Sequence, residues 1–174
     1  TLAGIGSAGF SGDGGPATRA ELYQPLDVAF DAAANLYVAD WQNFRIRRIS
    51  PEGVITTVAG GGTEAPRDGM PAAQAVIGPP TTVMVDPSGS LLWAEGSGAA
   101  VRRIDLATGR LFTVAGTGAQ SDTGDGGPAT RATLSGKRLA LSARNRSARI
   151  AAPFGIMLWF DQAAAAAAPS LRST

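Results

Sequence analysis

One short motif returns at a fixed distance along this chain, and that periodicity limits the fold more than any single residue does. Thr1-Leu2-Ala3-Gly4 reappears as Thr57-Val58-Ala59-Gly60 and as Thr113-Val114-Ala115-Gly116, two steps of 56 residues. A further glycine follows each time, at Gly6, Gly62 and Gly118. The block Gly12-Asp13-Gly14-Gly15-Pro16-Ala17-Thr18-Arg19-Ala20 returns unchanged at 124–132. Between them lies an eroded copy, Asp68-Gly69-Met70-Pro71-Ala72, one residue early. A constant period of this length marks a supersecondary unit that stacks on copies of itself.

The one-residue offset persists through the middle of the second copy. Val28-Ala29-Phe30-Asp31 aligns with Val83-Met84-Val85-Asp86, and Leu36-Tyr37-Val38-Ala39-Asp40 with Leu91-Leu92-Trp93-Ala94-Glu95. Arg45-Ile46-Arg47-Arg48-Ile49 aligns with Ala100-Val101-Arg102-Arg103-Ile104, and the register is restored by Gly53 and Gly109. A deletion offset by an insertion is what loops tolerate and packed strands do not. Within one copy the apolar and β-branched runs predict strands at 26–30, 36–39, 45–49 and 54–59, each bounded by Gly, Pro, Asn or Asp. Four short antiparallel strands per repeat are the pattern of a propeller blade. Residues 4–24 read as a Gly-rich loop and a short helix over 17–22, with Pro16 at its first position and Pro25 beyond its end.

These residues resemble bacterial NHL repeats. The resemblance is carried by Gly9-Phe10-Ser11-Gly12-Asp13-Gly14-Gly15-Pro16-Ala17-Thr18 and by Asn35-Leu36-Tyr37-Val38-Ala39-Asp40 with Asn43 and Arg45-Ile46-Arg47. Gly53-Val54-Ile55-Thr56-Thr57-Val58-Ala59-Gly60 completes it. It spans 1–142, as copies 1–56, 57–112 and a partial 113–142. It implies an all-β protein, a β-propeller with about two complete four-stranded blades and part of a third. It also implies a binding or scaffold module of a secreted, periplasmic or cell-envelope protein, with a protein partner or self-association. The same family contains RNA-binding platforms and propellers related to lyases and lactonases, so fold alone leaves function open. Two and a half blades fall short of the four or more that a ring requires. The expectation is therefore a piece of a longer propeller or a ring completed by several chains.

Residues 143–174 break the pattern. Residues 1–134 carry nine Arg against thirteen acids, whereas 135–174 carry six basic residues against one acid, Asp161. Where a strand motif should recur, the chain reads Ala143-Arg144-Asn145-Arg146-Ser147-Ala148-Arg149. Arg outnumbers Lys fourteen to one in the whole chain, a GC-rich coding bias. The Arg, Ala, Ser and Pro of the tail are what such DNA yields in a wrong frame. The tail is therefore expected to be frameshifted, mis-assigned or disordered. A membrane anchor is disfavoured, because the unbroken apolar run 150–160 is too short to span a bilayer.

Candidate site residues are few. The chain has neither Cys nor His, which excludes disulfides, thiolate nucleophiles, Cys/His zinc sites and imidazole-based triads. Asp13, Asp68 and Asp125 sit in equivalent Gly-rich loops and are read as turn residues making local backbone bonds, with calcium a weak alternative. Asp40, Trp41 and Asn43 occupy the turn between the second and third strands. Trp41 faces Gly96 in the alignment, so an aromatic present in only one copy marks a candidate partner contact. Together with Arg45 and Arg47 these form the candidate binding set, with no catalytic or metal residue assigned. Arg45, Arg47, Arg48, Arg102 and Arg103 form a basic stripe, but the acidic balance of the repeats and the lack of stacking aromatics argue against nucleic acid. Solvated faces and pairing with Asp40 or Glu95 account for them. An enzyme would need carboxylates such as Asp31, Asp86, Asp40 and Glu95 to converge on a metal.

Overall fold

The computed structural model describes residues 1–96, 99–121 and 123–134 in full, and the backbone of four later strands. The first sheet contains β1 (Pro25–Phe30), β2 (Leu36–Asp40), β3 (Arg45–Ile49) and β4 (Ile55–Gly60). The second contains β5 (Pro80–Val85), β6 (Ser90–Glu95), β7 (Ala100–Asp105) and β8 (Arg110–Ala115). Both are antiparallel meanders in simple sequence order, and equivalent residues pair equivalently: Pro25 with Asp40, and Pro80 with Glu95. Four further strands follow: β9 (Arg138–Ser142), β10 (Ser147–Ala151), β11 (Ile156–Leu158) and β12 (Leu171–Ser173). β9 pairs with β10, and β11 with β12, so backbone strands occur within the anomalous tail. The residues between those strands, including most of the apolar run weighed as an anchor, lie outside the described residues. No helix among the described residues is long and apolar enough to cross a membrane.

The turns follow from side-chain chemistry. Asp31 Oδ1 accepts the backbone N–H of Ala33 at 2.9 Å and of Asn35 at 2.8 Å, which lets Ala34 adopt a φ of 63°. Asp86 does the same for Ser88 and Ser90, around Gly89. Asp31 and Asp86, weighed above as acids for a metal, thus hold the first hairpin of each sheet. Burial opposes ionisation of Asp31. Hydrogen bonds from Asn35, Tyr37 and Ala33 outweigh it and keep the carboxyl below its ordinary range.

The segment before each sheet covers that sheet's outer edge. Gly14 donates to Ile55, Ile55 to Gly15, and Ala17 to Gly53; in the second copy Gly69, Leu111 and Ala72 repeat this. An edge strand that would otherwise expose unpaired backbone groups is thereby closed. This pairing takes up Val54, which bridges to Pro16, so β4 begins one residue later than the sequence pattern predicts. The helix expected over 17–22 is a single 3-10 turn, Ala17–Arg19. Ala20 donates back to Ala17 and takes an extended conformation, because the chain must run straight from there to reach β1.

β1 and β5 lie side by side at the inner edge of their sheets, and β9 lies against β5 in the same way. Asp27 Oδ2 accepts the N–H of Val83 at 2.9 Å across the first of these junctions. The main core fills the space between the two sheets. Tyr37, Ala39, Ile46 and Ala59 of the first pack with Val83, Leu91 and Trp93 of the second and with Ile77, which precedes β5. Gly60 and Gly116 are held at positive φ where a Cβ would strike the carbonyl of Phe44 or Ala99. Phe44 and Ala99, themselves left-handed, are also repeat equivalents, so this close approach belongs to the scaffold.

Candidate functional site

The polar residues singled out from the sequence gather where β2 turns into β3. Asp40 ends β2 and faces Arg45 in the ladder, while Arg47 points from β3 under the Gly-rich loop. Arg47 is fully buried, and its five N–H groups have five acceptor contacts. Nη2 meets Asp13 Oδ1 at 2.8 Å and the Ser11 carbonyl at 3.0 Å; Nε meets Asp13 Oδ1 at 3.2 Å. Nη1 reaches the Glu21 carbonyl and Asp40 Oδ2, both at 3.4 Å. This pairing offsets the desolvation of the guanidinium.

Asp40 is buried too. Its Oδ1 accepts the Tyr23 N–H at 2.8 Å, and its Oδ2 accepts Asn43 Nδ2 at 2.8 Å. Asn43 also donates to the Gly9 carbonyl at 2.7 Å. Asp13 Oδ2 accepts the Thr57 hydroxyl at 2.7 Å. Thus Asp13 does not make the local backbone bonds expected of a turn residue. It ties the loop to β3 and β4, while its glycine neighbours form the turn. The expectation of solvated Arg faces fails for Arg47 and Arg102, which are buried, whereas Arg45, Arg48 and Arg103 are partly exposed. Pairing with Asp40 and Glu95 holds as expected.

The surface members of the predicted set are Trp41 and Arg45, both partly exposed. Arg45 lies 3.8 Å from the centroid of the Phe10 ring, which also stacks on Arg47 at 4.8 Å. No carboxylate lies within ion-pair distance of Arg45 among the described residues.

In the second sheet the same positions are wired differently. Arg102 Nε meets Glu95 Oε1 at 3.3 Å, and Nη1 meets the Thr113 hydroxyl at 2.6 Å. Asp68 is not in the ion pair; it accepts the Thr113 N–H at 2.7 Å. Trp93 Nε1 donates to Glu95 Oε1 at 3.4 Å. Burial raises the Glu95 carboxyl above the ordinary glutamate range, against the lowering effects of Arg102, the Gly78 N–H and Trp93. The third loop places Asp125 on the surface, and its repeat-equivalent partners fall beyond the described residues.

An open cleft of about 580 Å³ lies between the sheets beside this pair, lined by Phe44, Arg45, Ile77, Gly78, Glu95 and Arg102 among others. Sequence reading missed this feature. Its signal was the loss of rings in the second copy: Phe10 falls opposite Ala65-Pro66, Tyr23 opposite Gly78, and Trp41 opposite Gly96. Among the described residues no three acids gather as a metal site would require.

No protein-family model matches the chain, and no curated protein matches it significantly. Among solved structures it is similar to a structural-genomics protein of unknown function from Bacteroides thetaiotaomicron. The identity is 24% and the TM-score 0.56, over 68% of this chain and 30% of that one. The fold is a partial β-propeller. A weaker likeness, with 15% identity and a TM-score of 0.42, is to the PQQ-bound aldose sugar dehydrogenase of Streptomyces coelicolor. It covers 74% of this chain and 37% of the dehydrogenase, so the chain spans about a third of each of the two structures.

Proposed function

We propose that this chain is part of an NHL-type propeller that works as a non-catalytic binding and scaffold module in the cell envelope or outside the cell. The NHL assignment and the location rest on the motifs of the first copy. The binding role rests on one observation: β1 presents an uncovered apolar face. Leu26, Val28 and Phe30 are exposed, and Leu2, Ile5 and Tyr23 extend the patch. Their alternation along the strand would place one face in a core. The counterparts in β5 are Thr81, Val83 and Val85; Val83 is buried in the junction with the first sheet, and the other two are only partly exposed.

A face that the repeat covers in one sheet and leaves open in the next fits a partner that is itself a β-sheet, another blade or a second copy of this chain. A hollow of about 680 Å³ lined by residues such as Thr1, Ile5, Leu22 and Tyr23 continues the patch. Trp41 adjoins this region through its neighbour Gln42, whose N–H donates to the Tyr23 carbonyl. Sedimentation analysis of the purified chain tests this reading. Concentration-dependent association is expected, and Val28→Asp with Phe30→Asp should abolish it while leaving the circular dichroism of the sheets intact. Trp41→Ala should weaken it less. Monomeric behaviour at all concentrations, or association indifferent to both aspartates, would contradict it.

A further inference from the structure

The geometry points to a second, small-molecule site in the cleft beside Glu95 and Arg102: we propose that it takes an aromatic carboxylate. Three observations carry this. First, the two sheets differ in aromatic content at this level. Phe10, Tyr23 and Trp41 adjoin the Asp40–Arg47 pair, and none of their counterparts, Ala65-Pro66, Gly78 and Gly96, has a ring. Pro66 and Gly78 instead line the cleft, whose volume of about 580 Å³ is in the range of small-molecule pockets. A planar ring can lie against Pro66 and Gly78, where no aromatic side chain stands.

Second, the walls are apolar and the polar groups are few. Phe44, Val76, Ile77 and Pro79 offer hydrocarbon, and Gly61 and Gly62, packed against Arg45 and Gln74, add only backbone to the lining. Third, the charge is unbalanced. Arg47 has two acids, Asp13 and Asp40, whereas Arg102 has only Glu95. Arg45 adds a second guanidinium to the cleft without a carboxylate of its own among the described residues. Two guanidinium groups against one carboxyl favour an anion, and a planar fork suits a carboxylate. Arg45 is already oriented by Phe10 and by its 2.6 Å bond to the Asn43 carbonyl, so it loses little freedom on binding.

Calorimetric titration of the intact chain with indole-3-acetate, against indole-3-ethanol as the neutral analogue, tests the assignment. Saturable binding is expected for the acid, with at least about tenfold weaker affinity for the alcohol, the effect of losing a charged hydrogen bond. Arg45→Gln should erase that preference. Gly78→Tyr, which installs the side chain of the first copy at a position where that copy folds with it, should abolish binding of both compounds. A thermal melt of each variant should stay cooperative, separating loss of the site from loss of the fold. Absence of saturable binding by the acid would overturn the proposal. So would equal affinity for acid and alcohol, or binding unaffected by Gly78→Tyr. Failure of the β1 face to associate would leave this result untouched, since the two tests read different surfaces.

Discussion

The two four-stranded sheets are one design executed twice, yet their buried ion pairs are not equivalent. In the first, Asp13, Asp40 and the carbonyls of Ser11 and Glu21 meet the N–H groups of Arg47, Asn43 braces Asp40, and Phe10 stacks on the guanidinium. In the second, Arg102 has one carboxylate contact at 3.3 Å and one hydroxyl, and the neighbouring space is open. What the copies share is backbone geometry: hairpin holders at Asp31 and Asp86, closed outer edges, and glycines at Gly60 and Gly116. What differs is side-chain volume and charge around the pair. The repeat preserves the scaffold and lets the rim diverge, which is where a propeller acquires a binding surface.

Removing the arginine from each sheet separates the two cases most strongly. Arg47→Ala strands two carboxylates, one of them buried, and is expected to cost about 3–5 kcal/mol in denaturant unfolding. Arg102→Ala should cost distinctly less, because Glu95 is already displaced toward its neutral form and can take up a proton. Equal costs would mean that the open pair is as strongly held as the sealed one.

A smaller effect should appear in the pH dependence of stability. Burial raises the Glu95 carboxyl in the folded chain, so between its unfolded and folded titrations the native state holds more protons. Stability from this group therefore falls as pH rises from the ordinary glutamate range through the raised value. Glu95→Gln should flatten that fall. A slope unchanged by the substitution, measured by thermal melts across the acid range, would show that the carboxyl is not perturbed as described.

Much of the fold was legible because period, turn residues and alternation agreed. The strand over 45–49 is where the pattern places it, and the others differ by a residue at one end or both. The shift at β4 and the shortened helix share a cause that composition does not encode: the loop pairs with the sheet edge and then must reach β1. The ion-pair network was less legible. Asp13 and Arg47 are 34 residues apart, and a Gly-rich loop gives no sign of where its one carboxylate points. Their joint recurrence as Asp68 and Arg102 points to the two being neighbours. Yet in the second copy the two are not paired, so the repeat alone would have misled. The cleft was visible only as missing rings, whose meaning depends on what stands beside them.

A double-mutant cycle in each sheet tests the asymmetry most directly. Asp13→Ala, Arg47→Ala and the double variant should give a coupling of about 1–2 kcal/mol, reduced from a fully buried pair because Asp13 is partly solvated. Asp68→Ala, Arg102→Ala and their double variant should give a coupling near zero, since Asp68 serves only the Thr113 N–H. Equal couplings in the two sheets would contradict the account of one sealed rim and one open one.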